Sequence, residues 1–268
     1  MWRLFPHLVA SLEGLPDLTS RPLRSRIPAL LPGRERLKIA FFVGCGLEVL
    51  YPQVGEAFLA ICQRLGLEVA IPPHQGCCGL MAESVGSGEV ARRLAQRVVQ
   101  DFAAVNADFV VTACASCAYQ LKRLNRLLAG TPDEEAATRL SAKVREASEF
   151  LAQEVGYRPE PRTLDLPVAF HDPCHLHRGQ GIVAEPRELL RAATGDGVVE
   201  PAEKVCCGQG GAFAVMYPEL SWQLGRARSQ DLTQAGAELV VTSCTGCLMQ
   251  LARTGPQRPV RHLLEVIV

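Results

Sequence analysis

The sequence predicts an α/β fold with two pseudo-symmetric domains in tandem, each a small parallel sheet flanked by helices. Three observations predict this fold: five cysteines recur in the same order in both halves, short apolar runs precede them, and stretches with helical periodicity separate the runs. A chain of 268 residues is long enough for two ordinary domains. An internal repeat spanning most of the chain favours two domains over one.

Ten of the eleven cysteines belong to the repeat. Each copy contains a single cysteine, then a Cys-Cys-Gly motif, then a CxxC motif. The first copy is Cys45, Cys77, Cys78, Cys114 and Cys117, and the second is Cys174, Cys206, Cys207, Cys244 and Cys247. The copies are offset by 129 residues at the first three cysteines and by 130 at the last two. Such a constant offset indicates a duplicated metal-binding domain rather than scattered buried cysteines.

Strands and helices alternate through the first copy. Apolar runs at 37–45, 67–72 and 107–114 are typical of buried strands, and the stretches 52–65 and 90–105 carry apolar residues at helical spacing. This βαβαβ order predicts parallel strands.

The second copy repeats the pattern. Residues 166–174 match the first strand, 237–244 resemble 107–114, and Pro218–Ala235 take the place of the preceding helix. In both copies the cysteines therefore follow the carboxyl ends of strands, where loops of a parallel sheet converge.

A helix is predicted to start between the two copies. The signals are Thr131 as N-cap, Pro132 at the first helical position and Glu134 three residues after the cap. Apolar residues at helical spacing extend this helix to Val155, and the stretch 156–165 is typical of a linker.

The predicted organisation has three parts: an arm over 1–36, a first domain over 37–156 with its trailing helix, and a second domain over 157–268. Residues 21–36 are rich in Arg and Pro without a clean period, so we interpret them as a solvated tether. Docking of this basic arm on a partner is the alternative.

The chemistry of the cysteines favours a metal cluster, and iron–sulfur above other metals. A helix N-terminus after each CxxC strand would stabilise thiolates, while Gly79 and Gly208 would let the backbone approach a bound group closely. Structural zinc and a cubane [4Fe–4S] cluster each use four thiolates, so with five per copy either one cysteine only lies beside the metal or the cluster is unusual. A CxxC pair alone would fit a thioredoxin-type redox pair or half a zinc site equally well.

Other candidate residues are fewer. His171 and His175 flank Cys174 and could ligate a cluster, carry a proton or donate a hydrogen bond to sulfur, and His74 and His177 are weaker candidates. Cys62 has no counterpart in the second copy and lies on an apolar helix face, so we expect it to pack in the core.

The bulk composition limits the function classes. Lys+Arg and Asp+Glu both number 28, so net charge gives no support for nucleic-acid binding. The sequence has neither an apolar run long enough for a membrane span nor a secretory signal pattern. We therefore expect a cytoplasmic protein whose cysteines are reduced ligands.

With these motifs in hand, residues 37–268 resemble the cysteine-rich (CCG) domain proteins, which include the cysteine-rich component of heterodisulfide reductase and the iron–sulfur subunits of glycolate and lactate oxidation systems. The segments HDPCHL (171–176), CCGQGGAF (206–213) and PVRHLLEVI (259–267) are most similar to the glycolate oxidase iron–sulfur subunit. The two ferredoxin-type motifs that precede the cysteine-rich half of that subunit are absent here, so the chain resembles its C-terminal half alone.

The resemblance implies two [4Fe–4S] clusters, of a noncubane type in the heterodisulfide reductase relatives, with the ten repeated cysteines as ligands and zinc at one site as the alternative. It implies an electron-transfer subunit of a multi-subunit oxidoreductase acting on a 2-hydroxy acid such as glycolate or lactate, with the two sites facing one another near the domain interface. The implied partners are a flavoprotein dehydrogenase subunit and a ferredoxin-type iron–sulfur subunit, and peripheral association with the inner face of the membrane stays open. Direct reduction of a disulfide at a cluster and a zinc-bound structural or assembly protein remain alternative functions.

Overall fold

The computed structural model describes residues 16–161, 166–255 and 257–268. The chain forms two compact units, of which one contains Leu18–Tyr157 and the other Arg158–Ile267. Each unit has its own sheet and one copy of the cysteine pattern. The expected tandem of α/β domains is therefore confirmed. Within the described residues, no helix is both long enough and apolar enough to cross a membrane.

The first unit is built on a five-stranded sheet. Its strands are β1 (Leu30–Leu31), β2 (Lys38–Phe41), β3 (Glu68–Ala70), β4 (Phe109–Thr112) and β5 (Val144–Glu146). Its helices are α1 (Gly44–Val49), α2 (Pro52–Arg64), α3 (Leu80–Ser84), α4 (Gly88–Ala103), α5 (Ala115–Leu121), α6 (Leu124–Leu127), α7 (Glu134–Lys143) and α8 (Ala147–Glu149), which continues as a π-helical turn over Phe150–Glu154. The strand order is β1-β3-β2-β4-β5, and only β1 runs antiparallel to its neighbour.

The second unit has a four-stranded, fully parallel sheet. Its strands are β6 (Val168–Phe170), β7 (Val198–Val199), β8 (Leu239–Thr242) and β9 (Val260–His262). Its helices are α9 (Cys174–Gln180), α10 (Ala184–Thr194), α11 (Phe213–Met216), α12 (Pro218–Gln234), α13 (Thr245–Thr254) and α14 (Leu263–Ile267). The strand order is β7-β6-β8-β9, which repeats the order β3-β2-β4-β5 of the first unit.

The two sheets share their strand register as well as their order. Ala40 pairs with Ala70 in the first sheet, and Ala169 pairs with Val199 in the second, 129 residues further along. The cysteine offset in the sequence is thus a structural offset, so residues 129 or 130 apart can be compared position by position.

The segment between the copies differs from its prediction. Asp133, not Thr131, is the N-cap of α7, and the Thr131 hydroxyl instead donates to the Leu128 carbonyl at 2.7 Å. The helix ends at Lys143, and Val144 opens strand β5. A helix continuing to Val155 is therefore wrong, because pairing with β4 at the sheet edge outweighs the local helical pattern.

The N-terminal segment packs on the first unit where a solvated tether is expected. Leu23 lies in a short 3₁₀ turn and is fully buried against Gly55 of α2. Strand β1 adds an antiparallel edge to β3, and Arg24 forms an ion pair with Glu48 at 3.1 Å. From residue 18 onward this segment is therefore part of the domain, whereas residues 1–15 lie outside the described part of the chain.

Glu146, the last residue of β5, is fully buried, and burial raises the pKa of its carboxyl group to about 7 despite hydrogen bonds from Ser148. Because the folded protein holds this proton more tightly, the contribution to stability is present below pH 4.5 and is lost as pH rises through 7. We expect wild type to lose on the order of 3 kcal/mol over this window relative to Glu146→Gln. Denaturant unfolding of both proteins at pH 5 and pH 8 measures the difference, and parallel pH profiles would contradict it.

Candidate metal centres

The structure places the cysteines of the first unit at the carboxyl ends of its parallel strands. Cys45 follows β2 and lies in the first turn of α1. Cys77 and Cys78 occupy the loop between β3 and α3. Cys114 follows β4 and is the N-cap residue of α5, whose first turn contains Cys117. The sheet topology therefore gathers thiols that are more than 70 positions apart in sequence.

The second unit repeats this placement residue by residue. Cys174 is the first residue of α9 after β6, and Cys206 and Cys207 lie in the loop after β7. Cys244 caps α13 after β8, and Cys247 lies in the first turn of that helix. Both cysteine sets are thus held by equivalent elements.

In each unit all five sulfurs form one connected group. In the first, hydrogen bonds link Cys45 to Cys77, Cys77 to Cys78, Cys78 to Cys117 and Cys117 to Cys114. The structure contains no disulfide among these cysteines, which are all free thiols. We call this group the first cysteine cluster.

The second cysteine cluster has the same connections. They run from Cys174 to Cys206, Cys207, Cys247 and Cys244 in that order. The Cys207 and Cys247 sulfurs lie 3.3 Å apart, and both residues are at least 95% buried. Sequence and structure therefore agree on which thiols belong together.

Hydrogen bonds within each cluster move the pKa values of neighbouring thiols in opposite directions. Hydrogen bonds from Cys45 and then Cys78 lower the pKa of Cys77, whereas the hydrogen bond to Cys77 and then burial raise the pKa of Cys45. Cys206 and Cys174 show the same opposition in the second cluster. Five thiols this close together cannot all ionise against one another, but positive charge among them would relieve the repulsion. The donor set fits an iron–sulfur cluster, which is held by thiolates.

The glycines of the two Cys-Cys-Gly motifs shape the loops around these sulfurs. Gly79 and Gly208 have φ values of +85° and +87°, which residues with a Cβ rarely adopt. Their backbone N–H groups donate to the sulfurs of Cys77 and Cys206, at 3.4 and 3.3 Å. A Cβ on Gly208 would lie 2.6 Å from the Ser221 carbonyl oxygen, so glycine is required there by space as well.

Gly44 is a site residue that sequence reasoning missed. Its φ is +70°, and a Cβ at this position would lie 3.0 Å from the Cys117 sulfur. The glycine immediately before Cys45 was the available signal. The second unit has Pro173 at the equivalent position, with an ordinary φ of −61°. The backbone just before the first cysteine therefore has a different conformation in the two units.

The two candidate histidines occupy different environments. His171 is fully buried, and one of its ring nitrogens lies within 4.8 Å of the sulfurs of Cys207 and Cys247. Its Nδ1 accepts a hydrogen bond from Nε of Arg228 at 2.9 Å. Burial and then the charge of Arg228 lower the pKa of His171 to about 3, so the ring is neutral. His175 is half-buried in α9 and does not belong to this group.

The remaining cysteine and histidine candidates do not belong to the group of His171, Cys207 and Cys247. Cys62 is fully buried in α2, as its place on an apolar helix face predicts, and burial raises the pKa of its thiol. His74 is exposed and His177 is half-buried.

Comparison with known proteins identifies the repeat. The family model described as the cysteine-rich domain matches twice, over residues 39–122 and 168–252. Lactate utilization protein A of Oceanobacillus iheyensis is 31% identical over 237 residues, covering 86% of this chain and 96% of that relative. The probable glycolate oxidase iron-sulfur subunit of Bacillus subtilis is 29% identical over 282 residues, covering 100% of this chain and 63% of that relative.

A solved structure shows the fold. The crystal structure of a hypothetical protein from Helicobacter pylori superposes with a TM-score of 0.59 at 9% identity. The match covers 98% of this chain and 53% of that chain, so the other protein contains an additional part beyond the shared fold. The iron–sulfur association of this chain comes from the sequence relatives, not from this structure.

Proposed function

We propose, on the premise that this chain belongs to the cysteine-rich domain family, that it is an iron–sulfur electron-transfer subunit of an oxidoreductase acting on a 2-hydroxy acid. The observation that carries the proposal is the pair of five-sulfur clusters, free of disulfides and held by equivalent elements. Lactate is favoured over glycolate as the acid, because the chain covers 96% of a lactate utilization protein A but only 63% of a glycolate oxidase subunit.

The chain's own residues would hold one [4Fe–4S] cluster in each unit through the first and second cysteine clusters. When bound, such clusters accept and release single electrons at potentials set by charge, hydrogen bonding and exposure. The N–H groups of Gly79 and Gly208 already donate to sulfur and would stabilise negative charge there. The buried pairs Cys78 with Cys117 and Cys207 with Cys247 would keep water from the inner side of each cluster.

An electron-transfer protein needs a donor and an acceptor. The proposed partners are a flavoprotein dehydrogenase, which would take the electrons from the 2-hydroxy acid, and a ferredoxin-type iron–sulfur protein. The exposed Cys45 and the half-buried Cys77 mark the side from which the first cluster is reached. Cys174 and Cys206, both half-buried, mark the equivalent side of the second cluster within its own unit.

Reduction of a disulfide substrate at one cluster is the second candidate. The observation that favours it is the solvent access of Cys45, since a substrate sulfur must reach the metal or its ligands. Turnover of a disulfide with an artificial one-electron reductant separates this activity from electron relay alone.

Metal and sulfide analysis of anaerobically purified protein, combined with EPR, tests the proposal. We expect about eight irons and eight acid-labile sulfides per chain, with signals that change on reduction and reoxidation. About four irons with one zinc would restrict redox activity to one unit. Zinc alone, from cells grown with adequate iron, would overturn the proposal in favour of a structural or assembly role.

A further inference from the structure

The two cysteine clusters have different walls, although the elements around them are equivalent. Phe42 donates its backbone N–H to the Val111 carbonyl at 2.8 Å, and His171 makes the same bond to Val241. His171 is thus the counterpart of Phe42 in the second unit. By the 130-residue offset, Arg228 of α12 is the counterpart of Val98 of α4, and all four side chains are buried.

In the first unit this wall is apolar. The ring of Phe42 lies 5.7 Å from the ring of Phe102, and Val98 is 1% exposed. In the second unit the same place holds an imidazole and a guanidinium joined by a hydrogen bond. Nη1 of Arg228 donates to the Glu203 carbonyl and to the Asp231 carboxylate, and these bonds offset part of the cost of burying the charge. Its Nη2 has no hydrogen-bond partner among the described residues.

The bond between these two residues fixes the tautomer of His171. A guanidinium group has donors and no acceptor, so Nδ1 of His171 must be the acceptor and carries no proton. The proton of the neutral ring is therefore on Nε2, which is buried and has no hydrogen-bond partner among the described protein atoms. A ring nitrogen of His171 lies within 4.8 Å of the Cys207 and Cys247 sulfurs. A protonated Nε2 can donate to sulfur but cannot bind a metal.

From this geometry we infer that His171, held in place by Arg228, donates a hydrogen bond to a sulfur of the cluster bound in the second site and makes the reduction potential of that site more positive than that of the first. The inference rests on the proposed iron–sulfur function. A donor to a cluster sulfur and a nearby positive charge both favour the more negative, reduced form. At the equivalent places the first site has Phe42 and Val98, whose side chains neither donate a hydrogen bond nor carry a charge. Electrons that enter the chain would therefore collect at the second site.

Redox titration of the loaded protein, followed by EPR, tests this inference. His171→Phe installs the residue of the first unit, and we expect the potential of the second site to fall while that of the first stays unchanged. His171→Gln keeps an N–H donor and should restore most of the shift. Arg228→Leu leaves the ring but frees its tautomer and removes the charge, so the potential should fall here too.

Arg226→Leu is the matched control, because Arg226 is an exposed arginine in the same helix, α12, as Arg228. We expect it to leave both potentials at their wild-type values. Two full clusters with wild-type potentials in His171→Phe and Arg228→Leu would overturn the inference while leaving the proposed function intact. Loss of the second cluster in both His171 variants, with normal thermal unfolding, would make His171 a ligand and overturn it as well. Wild-type protein without iron would overturn the proposed function, and the inference with it.

Discussion

Serine in place of Cys207 is expected to halve the iron and sulfide content of the protein, leaving one cluster of two. Cys207 is 2% exposed and central in its cluster, with its sulfur 3.3 Å from that of Cys247. A hydroxyl is a much harder donor than a thiolate and is a poor ligand for a cluster of this type. Iron and sulfide analysis together with the EPR signal of the second site would measure the loss.

The repeat provides a matched partner for this experiment. Cys78→Ser should remove the cluster of the first unit and leave that of the second, because Cys78 occupies the equivalent place, 129 residues earlier. Cys62→Ser is the control: the thiol is as deeply buried but lies in the core of α2. It should lower the melting temperature and keep both clusters. Full iron content in both Cys78→Ser and Cys207→Ser would refute the assignment of these sulfurs.

The central strands and the long helices followed from the sequence because local pattern and tertiary role agree there. The run around Ile39 and the run around Val110 are apolar, and both become buried central strands. Edge strands gave no such signal. Strand β7 has two residues, and β5 lies inside a stretch with helical spacing, so only their pairing with neighbouring strands defines them.

The membership of the cysteine clusters could also be predicted, since the motif spacing and a parallel sheet together bring the thiols to one edge. The residues that surround the cysteine clusters could not be predicted from the sequence. Arg228 stands in a polar stretch of a long helix, where an arginine normally faces solvent, yet it is fully buried. Its Nε donates to His171, 57 residues earlier, and no local pattern reports a contact at that separation.

The second unit has another pair of charged residues, Asp172 and Arg187, where the first unit has apolar ones. We expect removal of one member of this pair to lower the free energy of unfolding strongly. Arg187 makes two hydrogen bonds of 2.7 Å to the carboxylate of Asp172, and the two side chains are 7% and 1% exposed. Asp172→Ala would leave the buried Arg187 with the carboxylate of the exposed Glu200 and the Val183 carbonyl as its hydrogen-bond partners. Removing one member of a buried ion pair typically costs about 3–5 kcal/mol. Denaturant unfolding of the apoprotein should therefore show a loss of this size in the transition of the second unit.

The first unit shows which residues can replace the pair. Val43 and Phe58 are the counterparts of Asp172 and Arg187, and the Phe58 ring packs on Phe41 at 4.8 Å where Arg187 stacks on Phe170. We expect the double variant Asp172→Val with Arg187→Phe to recover most of the stability that Asp172→Ala loses, because well-packed apolar residues often match a buried ion pair. A double variant as unstable as Asp172→Ala would contradict this.

The pH dependence of stability distinguishes the ion pair of Asp172 and Arg187 from the apolar pair of the double variant. Burial alone would raise the pKa of Asp172, but the hydrogen bonds and charge of Arg187 outweigh it and hold the pKa below its ordinary value of 3.8. The ion pair therefore contributes stability above pH 3.8 that is lost as pH falls through the lowered pKa. The double variant has no carboxylate to protonate there, so it should lose less stability than wild type in acid. Equal acid sensitivity of the two proteins would mean that the pair contributes no net stabilisation.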